Sequence, residues 1–293
     1  MSIIERTVLL LTMLVCLPTG FAAEPIDVWP GLAPGETTRN IGDVLPFRST
    51  EQPRVTRVTG ITFPTFTVHP ANDPNGSAAV ILPGGGFRKI VPDKEGTEAA
   101  HWLNRLGISA FVVRYRTTNS KAVAGWRKPM QDAQRTLSLV RSDANRWGLK
   151  KDCIGLVGFS AGGQVAARIL SDSVTRSYDR VDDIDDVPYR PDFAVLVYPW
   201  EIFDADRDSL VEGIKVKKNS PPTFIVHTDD DGSSSVGAAL YYVGLRKLNI
   251  SAELHVYGNG GHGYGLRAVR GSQISSWPDH AAHWLETQKL LNH

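Results

Sequence analysis

Gly158-Phe159-Ser160-Ala161-Gly162-Gly163, entered from the apolar run Cys153-Ile154-Gly155-Leu156-Val157, is the stretch on which the reading of this chain turns. The run before it has the length and composition of a strand buried on both faces. The residues from Gln164 to about Leu170 read as a helix. A serine held in the tight turn between strand and helix stands with its hydroxyl above the sheet edge. Glycine on either side removes the steric conflict that such a turn creates. The Ala161 amide, near the helix N-terminus, would then face a developing oxyanion. Out of context the same residues could be no more than a glycine-rich start to a helix. The strand–turn–helix setting makes Ser160 a candidate nucleophile.

Working outward, the pattern alternates. Upstream, Ala78-Ala79-Val80-Ile81-Leu82 is another doubly buried strand, broken off by Pro83-Gly84-Gly85-Gly86-Phe87. Glu95 to Leu106 has helical spacing, with Ala99, Trp102, Leu103 and Leu106 on one face, and Ser109 to Tyr115 reads as a strand. Met130 to Trp147 is a helix stopped by Gly148. Downstream, strands are expected over Phe193–Tyr198, Thr223–His227 and Ala252–Tyr257, with helices over Val236–Leu248 and His280–Leu291. Val55 to Val68 suits one or two edge strands, and Glu24 to Glu51 an irregular arm. Strands alternating with helices of this length specify an α/β architecture: a mostly parallel central sheet with helices on both faces, a three-layer αβα sandwich. With no internal repeat and no low-complexity linker, residues 24–293 are expected to form a single domain.

At 293 residues the chain can bury a large core, and a net charge of +1 gives no reason to expect nucleic acid as a partner. The first residues differ from the rest. Arg6 is followed by the apolar run Thr7 to Leu17, too short to span a bilayer comfortably, and then by Gly20-Phe21-Ala22-Ala23. This reads as a signal peptide over residues 1–23, giving a secreted or periplasmic protein with no stable membrane span after its removal. Cys153 is then the one cysteine left, so no intramolecular disulfide is possible, and a small buried hydrophobe is its expected role.

The other candidate residues lie in loops after strands. The glycines after Leu82 allow close approach of the main chain, so Gly85 and Gly86 are candidate oxyanion donors alongside Ala161. His262 sits in Gly260-Gly261-His262-Gly263-Tyr264-Gly265, beyond the last long strand, and is the histidine best placed to act as base. Asp229-Asp230-Asp231 follows the strand at Thr223, where a carboxylate can orient that histidine. The chain order Ser160, aspartate, His262 is that of the α/β-hydrolases. A second acidic group, Asp182, Asp183, Asp185 and Asp186, reads as a solvated loop. His280 and His283 read as a solvated helix face, without a third ligand for a metal. Trp126, Trp200 and Trp277 could line a sugar or acyl surface or simply pack in the core.

These motifs together resemble the secreted acetylxylan-esterase-like branch of the α/β-hydrolases, kin to the esterase and lipase families. The matching text, from about Val28 to the C-terminus, includes Val28-Trp29-Pro30-Gly31, Leu82 to Phe87, Gln131-Asp132-Ala133-Gln134-Arg135, Gly158 to Gly163, Pro221 to Phe224 and Gly260 to Leu266. The resemblance implies an α/β-hydrolase fold and cofactor-free hydrolysis of a small ester or acylated carbohydrate, often an acetyl group on plant polysaccharide. It also bears on the acid. The family pattern His-x-x-x-Asp-x-x-Val-Pro, counted from His227, falls on Asp231, although Ser234-Ser235 replaces Val-Pro here. Asp230 stands as the second choice. A general short-chain carboxylesterase or lipase is the alternative activity. A non-catalytic binding protein on the same fold is the alternative of another class.

Overall fold

The computed structural model describes residues 24–118, 124–171 and 175–291; the leader expected over 1–23 lies outside them. Eight strands build the main sheet. In chain order they are β1 (Ile26–Asp27), β2 (Thr65–His69), β3 (Ala78–Leu82), β4 (Ser109–Arg114), β5 (Ile154–Phe159), β6 (Ala194–Val197), β7 (Thr223–Thr228) and β8 (Ala252–Tyr257). Their spatial order is β1-β2-β4-β3-β5-β6-β7-β8. The six strands from β4 to β8 are parallel, and β2 and β1 close one edge antiparallel.

The pleat explains the layers. Ala78, Val80 and Leu82 of β3 face one core and Ala79 and Ile81 the other, because successive side chains of a strand point to opposite faces. Helices α2 (Arg127–Ser142), α3 (Ala161–Ser171) and α4 (Val236–Lys247) supply Leu137, Val165 and Tyr241 to the first core. Helices α1 (Glu98–Arg105) and α5 (Trp277–Thr287) supply Leu103, Trp277 and Leu285 to the second. The expected three-layer sandwich is the one observed.

The element boundaries show where tertiary packing overrides the sequence pattern. Residues Asp93–Thr97 form a π-helical turn ahead of α1, which carries Glu95 into the interior rather than onto an outer helix face. The closing helix begins at Trp277, three residues earlier than expected, with Pro278 tolerated at its first turn. Cys153 is half-exposed at the mouth of β5 rather than buried, since the strand pairs only from Ile154. The acidic stretch is a solvated loop only in part: Asp183 and Asp186 stay exposed, and Asp185 does not. Asp185 is 1% exposed at its side chain and pairs with Arg135 at 2.9 Å, Asp182 pairs with Arg135 at 2.5 Å, and Arg180 holds Asp183 and Asp186.

One feature of the topology places the site. From β3 the chain crosses α1 to β4 on one side, then returns through α2 to β5 on the other, so the strand order reverses between β3 and β5. Loops at the carboxyl ends of strands flanking such a reversal diverge and leave a crevice. In register, Leu82 pairs with Gly158 and Phe159 with Val197, while Thr228 pairs with Tyr257. Five strands therefore end on one sheet edge and deliver their loops to one place.

Candidate active site

Ser160 follows the last residue of β5 directly and has φ 51°, a left-handed conformation uncommon for a residue with a side chain. The turn is held by its own main chain. The Ser160 amide donates to Val197 O at 3.0 Å, and the Ser160 carbonyl accepts the amides of Gln164 and Trp200 at 3.0 Å each. The surrounding glycines answer to space. A Cβ on Gly162 would lie 2.1 Å from Leu82 O, and one on Gly158 2.6 Å from Gly162 O. With β3 and α3 packed this closely, only glycine fits at either position.

The hydroxyl so presented meets an imidazole. Ser160 Oγ lies 2.7 Å from His262 Nε2, and His262 Nδ1 lies 2.6 Å from Asp231 Oδ2. Asp231 is 1% exposed at its side chain, and its other oxygen accepts the Ser233 amide at 2.8 Å. The His262 side chain remains 34% exposed, open to the cleft. Of the three adjacent aspartates, the structure thus brings Asp231 to His262. Asp230 instead accepts the amides of Gly261 at 2.8 Å and Gly260 at 3.1 Å, which fix the start of the histidine loop; those bonds hold its carboxyl below the usual carboxylate range. Thr228 adds a third tie to that loop, donating to Gly261 O at 2.7 Å.

The glycine-rich loop after β3 lies across from this row. Its first amide is already committed, since Gly84 N–H donates to Glu95 Oε2 at 2.7 Å. Gly85 has φ 139°, and a Cβ there would meet Lys89 O at 2.1 Å. The amides of Gly85 and Gly86 take no partner among the described residues. With the Ala161 amide, at the first residue of α3, they are the available donors on the two sides of Ser160.

Sequence reasoning missed two residues beneath the site. Glu95 is buried, and its second oxygen accepts the Tyr198 hydroxyl at 2.8 Å. Burial pushes its carboxyl up, against the hydrogen bonds from Tyr198 and Gly84. Tyr198 packs edge-on to His262 at 5.0 Å, and its oxygen accepts the Gly265 amide at 3.0 Å. No local pattern in the sequence marks either residue; the φ of 37° at Tyr198, just past β6, shows only in the structure.

Above Ser160 lies an open cleft of about 420 Å³, with Trp200 on its wall beside Phe87. Trp277 is fully buried and donates to Gly265 O, and Trp126 stacks under Arg168, so of the three tryptophans Trp200 alone reaches this cleft. Among the described residues, no group of three or more His, Cys, Asp or Glu side chains is disposed to hold a metal. None of their helices is long and apolar enough to cross a membrane.

A serine on a strand–helix turn, an imidazole and carboxylate in line behind it, and a switch-point crevice in a parallel sheet define an α/β-hydrolase. The model of the BD-FAE family matches residues 68–186, a segment holding the glycine-rich loop and Ser160. The chain is 29% identical over 220 residues to an acetylxylan esterase of Xylanibacter ruminicola, covering 66% of this chain and 42% of that protein. It is 26% identical over 223 residues to endo-1,4-beta-xylanase B of Butyrivibrio fibrisolvens, covering 68% of this chain and 34% of that one. The chain thus spans less than half the length of these two relatives. Among solved structures, an acetyl ester-xyloside bifunctional hydrolase from Caldicellulosiruptor lactoaceticus superposes with a TM-score of 0.69 at 27% identity, covering 92% of this chain and 97% of that one. A thermophilic esterase from Thermogutta terrifontis shares the fold, with a TM-score of 0.65 at 19% identity over 86% of this chain and 96% of that one.

Proposed function

We propose that this chain is a serine esterase that removes small acyl groups, acetate foremost, from acylated carbohydrate. The reading is carried by the row of contacts from Ser160 through His262 to Asp231, set in an open cleft beside the Gly85, Gly86 and Ala161 amides. Its substrate class is supported by the likeness to an acetylxylan esterase and to an acetyl ester-xyloside hydrolase. The same proposal takes residues 1–23 as a leader, 24–293 as one domain, and the periplasm or the outside of the cell as the place of action.

In this mechanism His262 takes the Ser160 proton as Oγ attacks the ester carbonyl, and Asp231 stabilises the imidazolium without itself being protonated. The tetrahedral oxyanion is met by the Ala161 amide and by Gly85 or Gly86. One such donor is worth about 3–4 kcal/mol of transition-state stabilisation. The carbon–oxygen bond to the alcohol breaks, and the alcohol leaves with the proton from His262. Water, deprotonated by the same imidazole, then attacks the acyl-serine; the carboxylic acid departs and Ser160 regains its proton.

The test is the initial rate on p-nitrophenyl esters from acetate to octanoate, with Ser160→Ala alongside. Acetate is expected to be cleaved fastest, with a loss in the variant of about 10⁴-fold or more. Equal rates in the variant remove Ser160 from the mechanism. Rates that climb with chain length favour a carboxylesterase or lipase instead.

A further inference from the structure

The cleft over Ser160 is cationic out of proportion to the chain. Arg48, Arg57, Arg88, Lys89 and Lys94 line it, against two carboxylates, Glu51 and Glu95. That is three more cations than acids in one cleft, whereas the whole 293-residue chain has a net charge of +1. The charge is therefore collected at the site and is not a property of the surface at large.

The two acids leave Arg88, Lys89 and Lys94 uncovered. Glu51 is consumed by its neighbours: Arg57 holds both its oxygens, one of them at 2.8 Å, and Arg48 approaches to 3.5 Å. Glu95 lies beneath the site with both oxygens engaged by Gly84 and Tyr198. Arg88, Lys89 and Lys94 form no ion pair with any carboxylate among the described residues. Lys89 and Lys94 are also half-buried and burial draws both pKa values down; Glu95, Glu98 and Glu51 act on Lys94 from beyond ion-pair distance without outweighing that burial. Leaving charges in that condition costs stability that a ligand anion can offset.

Their positions tie this to the reacting ester. Lys89 is on the glycine-rich loop, its amide donating to Gly85 O at 3.3 Å. Lys94 packs on the histidine loop, where a Cβ on Gly265 would come within 3.2 Å of its Cγ. The glycine-rich segment and the π-helical turn ahead of α1 therefore each bring a lysine to the same cleft.

Building on the esterase reading above, we propose that the cleft selects esters carrying a carboxylate elsewhere in the same molecule. That carboxylate could sit on the alcohol, as in an acetylated uronate sugar, or on the acyl group, as in the half-ester of a dicarboxylic acid. Fields focused in a cleft raise the encounter and binding of an oppositely charged substrate, and salt screens them.

The experiment compares two matched pairs by kcat/KM, with background taken from Ser160→Ala. Methyl acetyl-glucuronoside against methyl acetyl-glucoside tests the alcohol side. Mono-p-nitrophenyl succinate against p-nitrophenyl butyrate tests the acyl side. At about 20 mM ionic strength one anionic probe is expected to be favoured roughly tenfold or more, falling several-fold at about 500 mM. Which pair shows it identifies where the carboxylate sits. Lys89→Gln and Lys94→Gln, separately and together, should shrink that ratio toward one, the neutral partner of each pair serving as the internal reference. Ratios near one for both pairs at low salt, or a preference that neither salt nor the variants reduce, overturn the proposal while leaving the esterase in place. If the double variant does not fold, the salt dependence of the wild type decides. Absence of Ser160-dependent hydrolysis of all four probes would overturn the esterase reading and this proposal with it.

Discussion

The carboxylate of Glu95 holds the main-chain amide of Gly84 at 2.7 Å, out of reach of solvent and directly beneath the glycine-rich loop. Its other oxygen holds Tyr198, whose oxygen holds the Gly265 amide in turn, so one buried carboxylate spans the glycine-rich loop and the loop of His262. A Cβ on Gly84 would strike both Glu95 Oε2 and Ser160 Cβ at 2.6 Å, which shows how little slack the arrangement has. On the proposed mechanism Glu95 acts through the two loops it ties, as a positioning residue.

Glu95→Ala should therefore lower kcat on p-nitrophenyl acetate by about 10- to 100-fold, the scale of losing well-aimed oxyanion stabilisation, with KM changed much less. Glu95→Gln should recover most of that loss. Its amide oxygen can accept from Gly84 while its NH₂ donates to the Tyr198 oxygen. Steady-state kinetics on the pair checks this. A parallel fall in kcat for Ala and Gln, or a loss confined to KM, would contradict the positioning role.

Adjacent aspartates should behave very differently. On the proposed mechanism Asp231→Asn removes the charge that steadies the imidazolium, and kcat should fall by about 10³- to 10⁴-fold. Asp230 is exposed and receives two loop amides. An asparagine there still offers one carbonyl oxygen, so the loss should stay under about tenfold. Measuring kcat for both variants at one pH distinguishes the roles; equal losses would mean that loop geometry, not charge, is what the aspartates supply.

How far the sequence discloses this site follows from the range of each interaction. The turn at Ser160 and the loop at Gly84 to Gly86 are local: glycine is required where the main chain itself crowds, and the glycines stand next to the residues they serve. The order of strands and helices is also local, carried by periodicity. The choice between Asp230 and Asp231 is not, because adjacent residues in a turn point in different directions and only the position of His262 sets which of them it meets. Glu95 and Tyr198 stand 103 residues apart and meet because β3 and β6 end on the same edge. The burial of Asp185 is hidden for the same reason, since its partner Arg135 lies 50 residues before it. The cations of the cleft converge from the arm (Arg48), the edge-strand segment (Arg57), the glycine-rich segment (Arg88 and Lys89) and the π-helical turn (Lys94), and no local motif contains them.

The segment Gln131 to Arg135, part of the family likeness, turns out to fasten the fold rather than the site. Asp132 is fully buried and accepts from Trp29 Nε1 at 2.8 Å, the Arg116 amide at 2.8 Å and Arg116 Nε at 2.9 Å. The Trp29 bond draws the N-terminal arm onto α2. Asp132→Ala leaves the Arg116 guanidinium, 0% exposed, without its main partner. Removing one member of a buried pair typically costs about 3–5 kcal/mol. At about 2–4 °C per kcal/mol for a domain of this size, calorimetry should register a drop in Tm of roughly 10 °C. Esterase activity measured well below that Tm should be largely retained, because none of these groups lines the cleft.

Asp185 offers a pH-dependent counterpart. Burial alone would raise its carboxyl, but hydrogen bonds from the Tyr178 hydroxyl and the Val181 amide, with Arg135 and Arg176 nearby, outweigh burial and hold it below the usual range. A carboxylate whose pKa is lower in the folded than in the unfolded chain contributes stability above its unfolded value, about 3.9, and loses that contribution as pH falls through its folded value. Asp185→Asn should therefore cost about 1–3 kcal/mol near neutrality, the scale of a buried charged hydrogen bond undone. The gap from wild type should hold down to about pH 4 and close below it, as the wild-type carboxyl takes up its proton and comes to resemble the amide. Urea melts of both proteins across that range measure the gap directly. A difference that stays constant with pH would show that Asp185 serves by shape and packing, and that its charge contributes nothing to holding Arg135 in place.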